Sequence, residues 1–126
     1  MILHAVLDVM DRPWQWGTYD CCTAASEVFY RLTGIDPSAD LRGTYSTRRE
    51  AMRIIRNYGD FLEMTDALAA KAGLTPTDTP APGYMTVCKM PAGHLAMTIC
   101  LAPNRFVGKT LTGFTTVDTA VRGYHA

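Results

Sequence analysis

Between Thr75 and Gly83 the chain carries three prolines among three threonines, and this segment separates two stretches of opposite periodicity. Proline fixes φ and removes a backbone donor, so neither a long helix nor a central strand can run through such a segment. Before it, apolar residues recur at helical spacing; after it, short β-rich runs take over. A chain that places helices first and strands second is expected to form an α+β domain, with N-terminal helices packed on a small antiparallel β-sheet. With 126 residues, 48% of them hydrophobic, there is material for one core and not for two, so residues 1–126 read as a single domain.

The spacing predicts four helices. Ile2, Leu3, Val6, Leu7 and Met10 form the face of a short helix that stops before Pro13, and Pro13–Gly17 reads as an extended turn. Asp20 suits the N-cap of a helix over Cys21–Thr33 that Gly34 closes. At about 100° per residue, Ala25, Val28, Phe29 and Leu32 centre the apolar stripe about 30° from Cys21 and about 70° from Cys22. Cys21 is therefore expected to point more directly at the packing surface than Cys22. Thr47 and Glu50 make a capping box before a helix that ends at Gly59, and a further helix runs over Phe61–Ala72 to Gly73. Thr75–Gly83 is expected to be a connector. Strands are expected over Tyr84–Lys89, His94–Leu101, Arg105–Val107, Phe114–Val117 and Ala120–Tyr124, with the turn Met90–Gly93 pairing the first two as an antiparallel hairpin.

Twelve basic and twelve acidic residues cancel, so no net field draws the chain to nucleic acid or to an anionic membrane. No run approaches the roughly 20 apolar residues of a membrane span, and the opening MILHAVLDVMD lacks a signal-peptide pattern. The expectation is a soluble protein made in the cytoplasm. Adjacent Cys21 and Cys22 bridge each other only with strain, and a domain with this apolar share needs no staple, so all four cysteines are expected as free thiols. Neither Cys21–Cys22 nor Cys88 with Cys100 has the spacing of a zinc site. A site from Cys88, Cys100 and His94 across the hairpin is conceivable, but no metal or other cofactor is expected.

The chemistry concentrates on a cysteine in the first turn of a helix, where unsatisfied backbone N–H groups and the helix dipole favour a thiolate nucleophile. Its base is best supplied by His94, at the start of a strand in the sheet this helix should cover. His4 lies in the first helix and His125 is penultimate. From the residues alone Cys21 and His94 are a candidate pair, and each also reads as an ordinary structural residue. Trp14 and Trp16 read either as core anchors or as walls of a groove beside Cys21. Arg48, Arg49, Arg53 and Arg56 read as a solvated face or as a partner contact. Arg42 is expected to tie its loop down through Asp36 or Asp40.

Read together, Pro13-Trp14-Gln15-Trp16-Gly17-Thr18-Tyr19-Asp20-Cys21, Gly83-Tyr84-Met85-Thr86-Val87 and Gly93-His94-Leu95-Ala96-Met97 resemble the three landmarks of the NlpC-type cysteine hydrolases, a papain-like superfamily. More closely, the chain is similar to small phage proteins encoded among tail genes. Those open with R-P-aromatic-x-W-G-x-x-D-C and continue with G-x-D-P and R-G-x-Y, here Gly34–Pro37 and Arg42–Tyr45. The likeness runs from Arg12 to about Leu101.

This resemblance implies a papain-like/NlpC-like fold with Cys21 as nucleophile and His94 as base. The implied reaction is acyl transfer on peptidoglycan peptides: Cys21 attacks a peptide carbonyl, backbone N–H groups near Cys21 hold the oxyanion, His94 protonates the leaving amine, and water releases the acyl enzyme. It further implies a place in the virion tail, with other phage tail proteins as partners. Two positions depart from the pattern: Gly83-Tyr84 stands where the family has Gly-Asp, and the segment Asn104–Lys109, where the family places a polar group that orients the histidine, offers no assignable orienter, Asn104 being the nearest polar candidate. These departures support an alternative, a catalytically decayed NlpC-like domain serving as a structural part of the tail tip or its assembly.

Overall fold

Local capping chemistry sets the helix boundaries in the computed structural model, which spans residues 1–126. Helix α1 covers Ile2–Met10, α2 Cys21–Thr33, α3 Arg48–Tyr58 and α4 Phe61–Lys71. In α2 the Asp20 side chain accepts the N–H groups of Cys22 and Thr23, while the Thr23 hydroxyl accepts the Asp20 N–H at 2.9 Å; Gly34, at φ 79°, closes the helix. Asp60 caps α4 by accepting the Glu63 N–H at 2.8 Å. At α3 Thr47 accepts the Glu50 N–H at 3.1 Å. The return arm of that box lands one residue earlier than expected, with the Ser46 N–H donating to the Glu50 carboxylate at 2.9 Å. No helix is long and apolar enough to cross a membrane.

Six strands follow: β1 Thr75–Thr77, β2 Met85–Lys89, β3 Leu95–Ala102, β4 Arg105–Thr110, β5 Gly113–Val117 and β6 Arg122–His125. They form one antiparallel sheet in the order β1-β6-β2-β3-β4-β5. The segment expected to be a plain connector thus contains β1. Pro76 is tolerated there because β1 lies at the sheet edge, where one side of the strand needs no donors. The β2–β3 hairpin forms as expected, with Lys89 opposite Leu95 at the turn end and Met85 opposite Ile99 at the other.

Alternation along the strands divides the sheet into two faces. Met85, Val87, Met97, Ile99 and Val107 join Val6, Val9 and Met10 of α1, Ala25, Val28 and Phe29 of α2, and Met64 and Leu68 of α4 in one core. The opposite face holds a smaller cluster of Cys88, Cys100 and Phe106, against which Val117 and Ala120 pack. Its polar atoms satisfy each other: Thr86 and Thr98 hydroxyls lie 2.7 Å apart, and the Cys88 sulfur is 3.0 Å from Thr98 Oγ1. Lys109 is buried with its ammonium donating to the carbonyl oxygens of Met10, at 2.8 Å, and Arg12. It thereby satisfies orphan acceptors at the C-terminal end of α1.

Two features differ from the helical projection. Cys22 is buried and Cys21 only partly so, the reverse of what the apolar stripe indicates. Cys22 joins the main core while Cys21 only packs against its edge, and the loop after α2 closes over the same first turns: the Ser38 hydroxyl contacts the Cys22 carbonyl oxygen at 3.5 Å, and Arg42 donates to the Thr23 carbonyl oxygen at 3.3 Å. Burial there is set by this loop as well as by the sheet. Of the two carboxylates expected to hold Arg42, Asp36 does so through two 3.2 Å contacts, and Asp40 pairs instead with Lys71. The second exception is α3, which leans on α4 and has no buried residue at all.

Gly17 is the tightest backbone position. Its φ is +86°, its N–H donates to Asp20 Oδ2 at 2.8 Å, its carbonyl accepts the Gly43 N–H at 2.9 Å, and a Cβ there would lie 2.1 Å from the Tyr45 carbonyl oxygen. Gly17→Ala must therefore displace backbone, whereas Gly43→Ala, at φ +77° with nothing within 4 Å, meets only its own conformational preference. Urea denaturation is expected to show a loss of about 3 kcal/mol for Gly17→Ala and about 1 kcal/mol for Gly43→Ala. Equal losses would contradict the packing role assigned to Gly17.

Candidate active site

The site is built on the Asp20 carboxylate, which is 2% exposed. Oδ1 accepts the N–H groups of Cys22 and Thr23, at 2.9 and 3.0 Å, and the Thr23 hydroxyl at 3.1 Å. Oδ2 accepts the Gly17 N–H and the hydroxyl of Tyr45. The segment before α2, the start of α2 and the loop before α3 therefore meet at one side chain. Burial pushes the Tyr45 hydroxyl far above the usual tyrosine range, with the negative charge around it acting in the same direction, so it stays protonated and donates. Sequence reasoning assigned Asp20 only to capping and gave Tyr45 no role; the Arg42–Tyr45 motif was the available signal.

Next to this anchor lies a cavity of about 390 Å³. Cys21 lines it from the start of α2 and His94 from the turn residue just before β3, which starts at Leu95 and not at His94 as expected, so the two halves of the chain each supply one of the expected pair. Trp14 and Trp16 form part of its wall and meet edge to face with ring centroids 5.0 Å apart. Both are half-buried and line the cavity, and Trp16 also packs against the main core. Opposite them, α3 and α4 contribute Ile54, Ile55, Phe61 and Met64. The apolar spacing of α3, which sequence reasoning assigned to helix packing, serves this wall.

The pair is not hydrogen-bonded. The nearest polar partner of Cys21 Sγ is Cys22 Sγ at 3.9 Å. His94 is exposed where it lines the cavity, and of the three histidine rings only that of His125 makes a hydrogen bond, to the Ala126 carbonyl oxygen. Asn104 does not orient His94: it sits in the β3–β4 turn, beyond Ala102, at the opposite end of β3. At about 3.3 Å per residue the length of that eight-residue strand separates them. Continued past the Ile99–Val107 pair, the register brings Thr112, beyond the end of β4 at Thr110, level with His94. Tyr84 is likewise remote, paired through its backbone with Cys100 and stacked on His125 at 5.5 Å.

The oxyanion donors also need correction. The N–H groups of Cys22 and Thr23 are occupied by Asp20. This leaves the Cys21 N–H, which has no intrahelical acceptor, as the backbone donor beside the sulfur. The conceivable metal site from Cys88, Cys100 and His94 is not assembled, because Cys88 and Cys100 pack with Phe106 on the sheet face away from the cavity. Asp20, Cys21 and Cys22 do place ligand atoms within 4.8 Å of one another. However, the five donors already held by Asp20 commit its oxygens to the helix start.

A family model described as a domain of unknown function, DUF6950, matches residues 2–125. No curated protein and no solved structure matches the chain.

The four thiols differ in environment. The adjacent Cys21 sulfur, together with burial, pushes the Cys22 thiol well above its ordinary range, and burial raises Cys88 and Cys100. Raised thiols hold little thiolate near neutral pH and react slowly. Iodoacetamide at pH 7 to 8 is expected to modify Cys21 at least about tenfold faster than the other three, as read by peptide mapping. The preference should persist as pH rises through the ordinary thiol range of about 8.5, where the raised groups are still protonated, and should vanish in guanidinium.

Proposed function

The chain belongs to the DUF6950 family, and for it we propose a cysteine peptidase or amidase that works by acyl transfer through Cys21 and His94. The observation that carries this reading is that these two residues, from opposite halves of the chain, line one cavity. The resemblance of its sequence motifs to the papain-like, NlpC-type hydrolases supports it, as does the order in which the helix-borne cysteine and the histidine before β3 occur.

In this mechanism the Cys21 sulfur attacks the carbonyl carbon, and the Cys21 N–H stabilises the oxyanion as the tetrahedral intermediate forms. His94 takes the thiol proton and delivers it to the leaving amine. Water, activated by the same imidazole, then cleaves the thioester and restores the thiol. The His94 ring is exposed and has no protein partner, so it is free to turn toward the sulfur; such hydrogen bonds often tighten only when substrate is bound. The resemblance to phage tail proteins supports a virion-tail location and a cell-wall peptide as substrate.

One observation favours a second reading, a decayed domain with a structural role in the tail tip: no side chain orients His94. Purified protein incubated with peptidoglycan sacculi distinguishes the two. The hydrolase reading expects new amino termini, lost in Cys21→Ala and reduced at least about a hundredfold in His94→Ala. If wild type and Cys21→Ala are indistinguishable in this assay and in particle infectivity, while Arg49→Glu blocks assembly, the structural reading holds.

A further inference from the structure

We infer that the group this site accepts on the acyl side of the cleaved bond is uncharged and apolar. The inference rests on the acyl-transfer reading above and adds the substrate class.

Its basis is the composition and asymmetry of the cavity. Fourteen of the seventeen lining residues are hydrophobic, and the three others are Asp20, Arg48 and His94. Asp20 is closed off by its five donors, and Arg48 and His94 are exposed at the mouth. The interior therefore presents no free charge. An ionic group drawn into it would lose its hydration without a partner, while each buried methylene would gain.

The position of His94 orients the substrate. The proton donor must stand beside the departing atom, so the leaving group lies at the exposed mouth. The acyl portion, bonded to Cys21, is left with the enclosed part of the cavity, walled by buried Leu41, Tyr45 and Met64. The opposite wall, α3, has no buried residue and touches the body mainly through α4. Its Ala51, Ile54 and Ile55 are only partly buried where they pack against the core, which leaves their apolar surface to face an occupant. In a peptide substrate, the residue before the cleaved bond would accordingly be apolar.

The test uses p-nitrophenyl esters from acetyl to octanoyl, which share one leaving group. The Cys21 thiolate attacks the ester carbonyl, p-nitrophenolate departs with the bonding electron pair, and the thioester on Cys21 is released by water as the carboxylic acid. Intact-protein mass reads the thioester, and absorbance reads nitrophenolate. We expect an adduct on Cys21 and a kcat/KM that climbs by up to about fourfold per methylene as the chain enters the cavity. Ala51→Phe, which fills the cavity, and Ile54→Asp, which charges its wall, should each flatten the octanoyl-to-acetyl ratio, with far-UV circular dichroism confirming the fold. An adduct on Cys21 with a flat or falling length dependence would overturn the apolar assignment and leave the acyl-transfer reading intact. A length dependence unchanged in both variants would also overturn it, because the chain would then bind elsewhere. No adduct together with no nitrophenolate release that depends on Cys21, from any ester, would overturn both.

Discussion

One buried carboxylate holds three separate pieces of backbone in register. Asp20 caps α2, receives the Gly17 N–H from the preceding turn and receives the Tyr45 hydroxyl from the loop that leads to α3. A carboxylate in such a place is tolerable only when its lone pairs are filled, and here five donors fill them. Because Cys21 is the next residue, the position of its sulfur is a by-product of this satisfaction. The close approach of Gly17 to Tyr45 and the Gly43 contact add a second tie between the same segments. Gly17, Gly43 and Tyr45, which flank α2 in sequence, are therefore explained by packing around one side chain, before any chemistry is invoked.

Much of this was legible in the sequence where the signal is local. Asp20 and Gly34 mark the bounds of α2 because capping and left-handed closure depend on a few adjacent residues. The hairpin at Met90–Gly93 was legible for the same reason. What failed depended on the rest of the chain. The exposure of Cys21 relative to Cys22 follows from tertiary packing, since Cys22 joins the main core and the loop after α2 closes over the first turns, which no periodicity within the helix marks. The edge strand β1 was missed because its existence depends on β6, about 50 residues later. Asn104 was nominated by proximity in sequence, but a long β3 carries it to the wrong end of the sheet.

The cavity belongs to the same category. Its apolar wall comes from α3 and α4, whose hydrophobic spacing reads in sequence as ordinary core. In the folded protein α3 presents that face to a space that side chains leave open, and its four arginines, Arg48, Arg49, Arg53 and Arg56, are all exposed and outside any ion pair in the protein. Periodicity reports that a face avoids water. It does not report whether protein or ligand provides the alternative.

The placement of β6 has a consequence for how the molecule reaches this state. Arg122–His125 lie between β1 and β2, strands that precede them by some 35 to 50 residues. Until this strand inserts, β2 presents a bare row of amides and carbonyls, β1 has no neighbour to bond, and Tyr124 cannot reach Thr65 and Asp66 on α4. Assembly of the sheet is thus gated by one distant pairing whose entropic cost falls early and whose reward comes late. During that interval a stray extended segment, from another copy or from a partner, competes for the same slot.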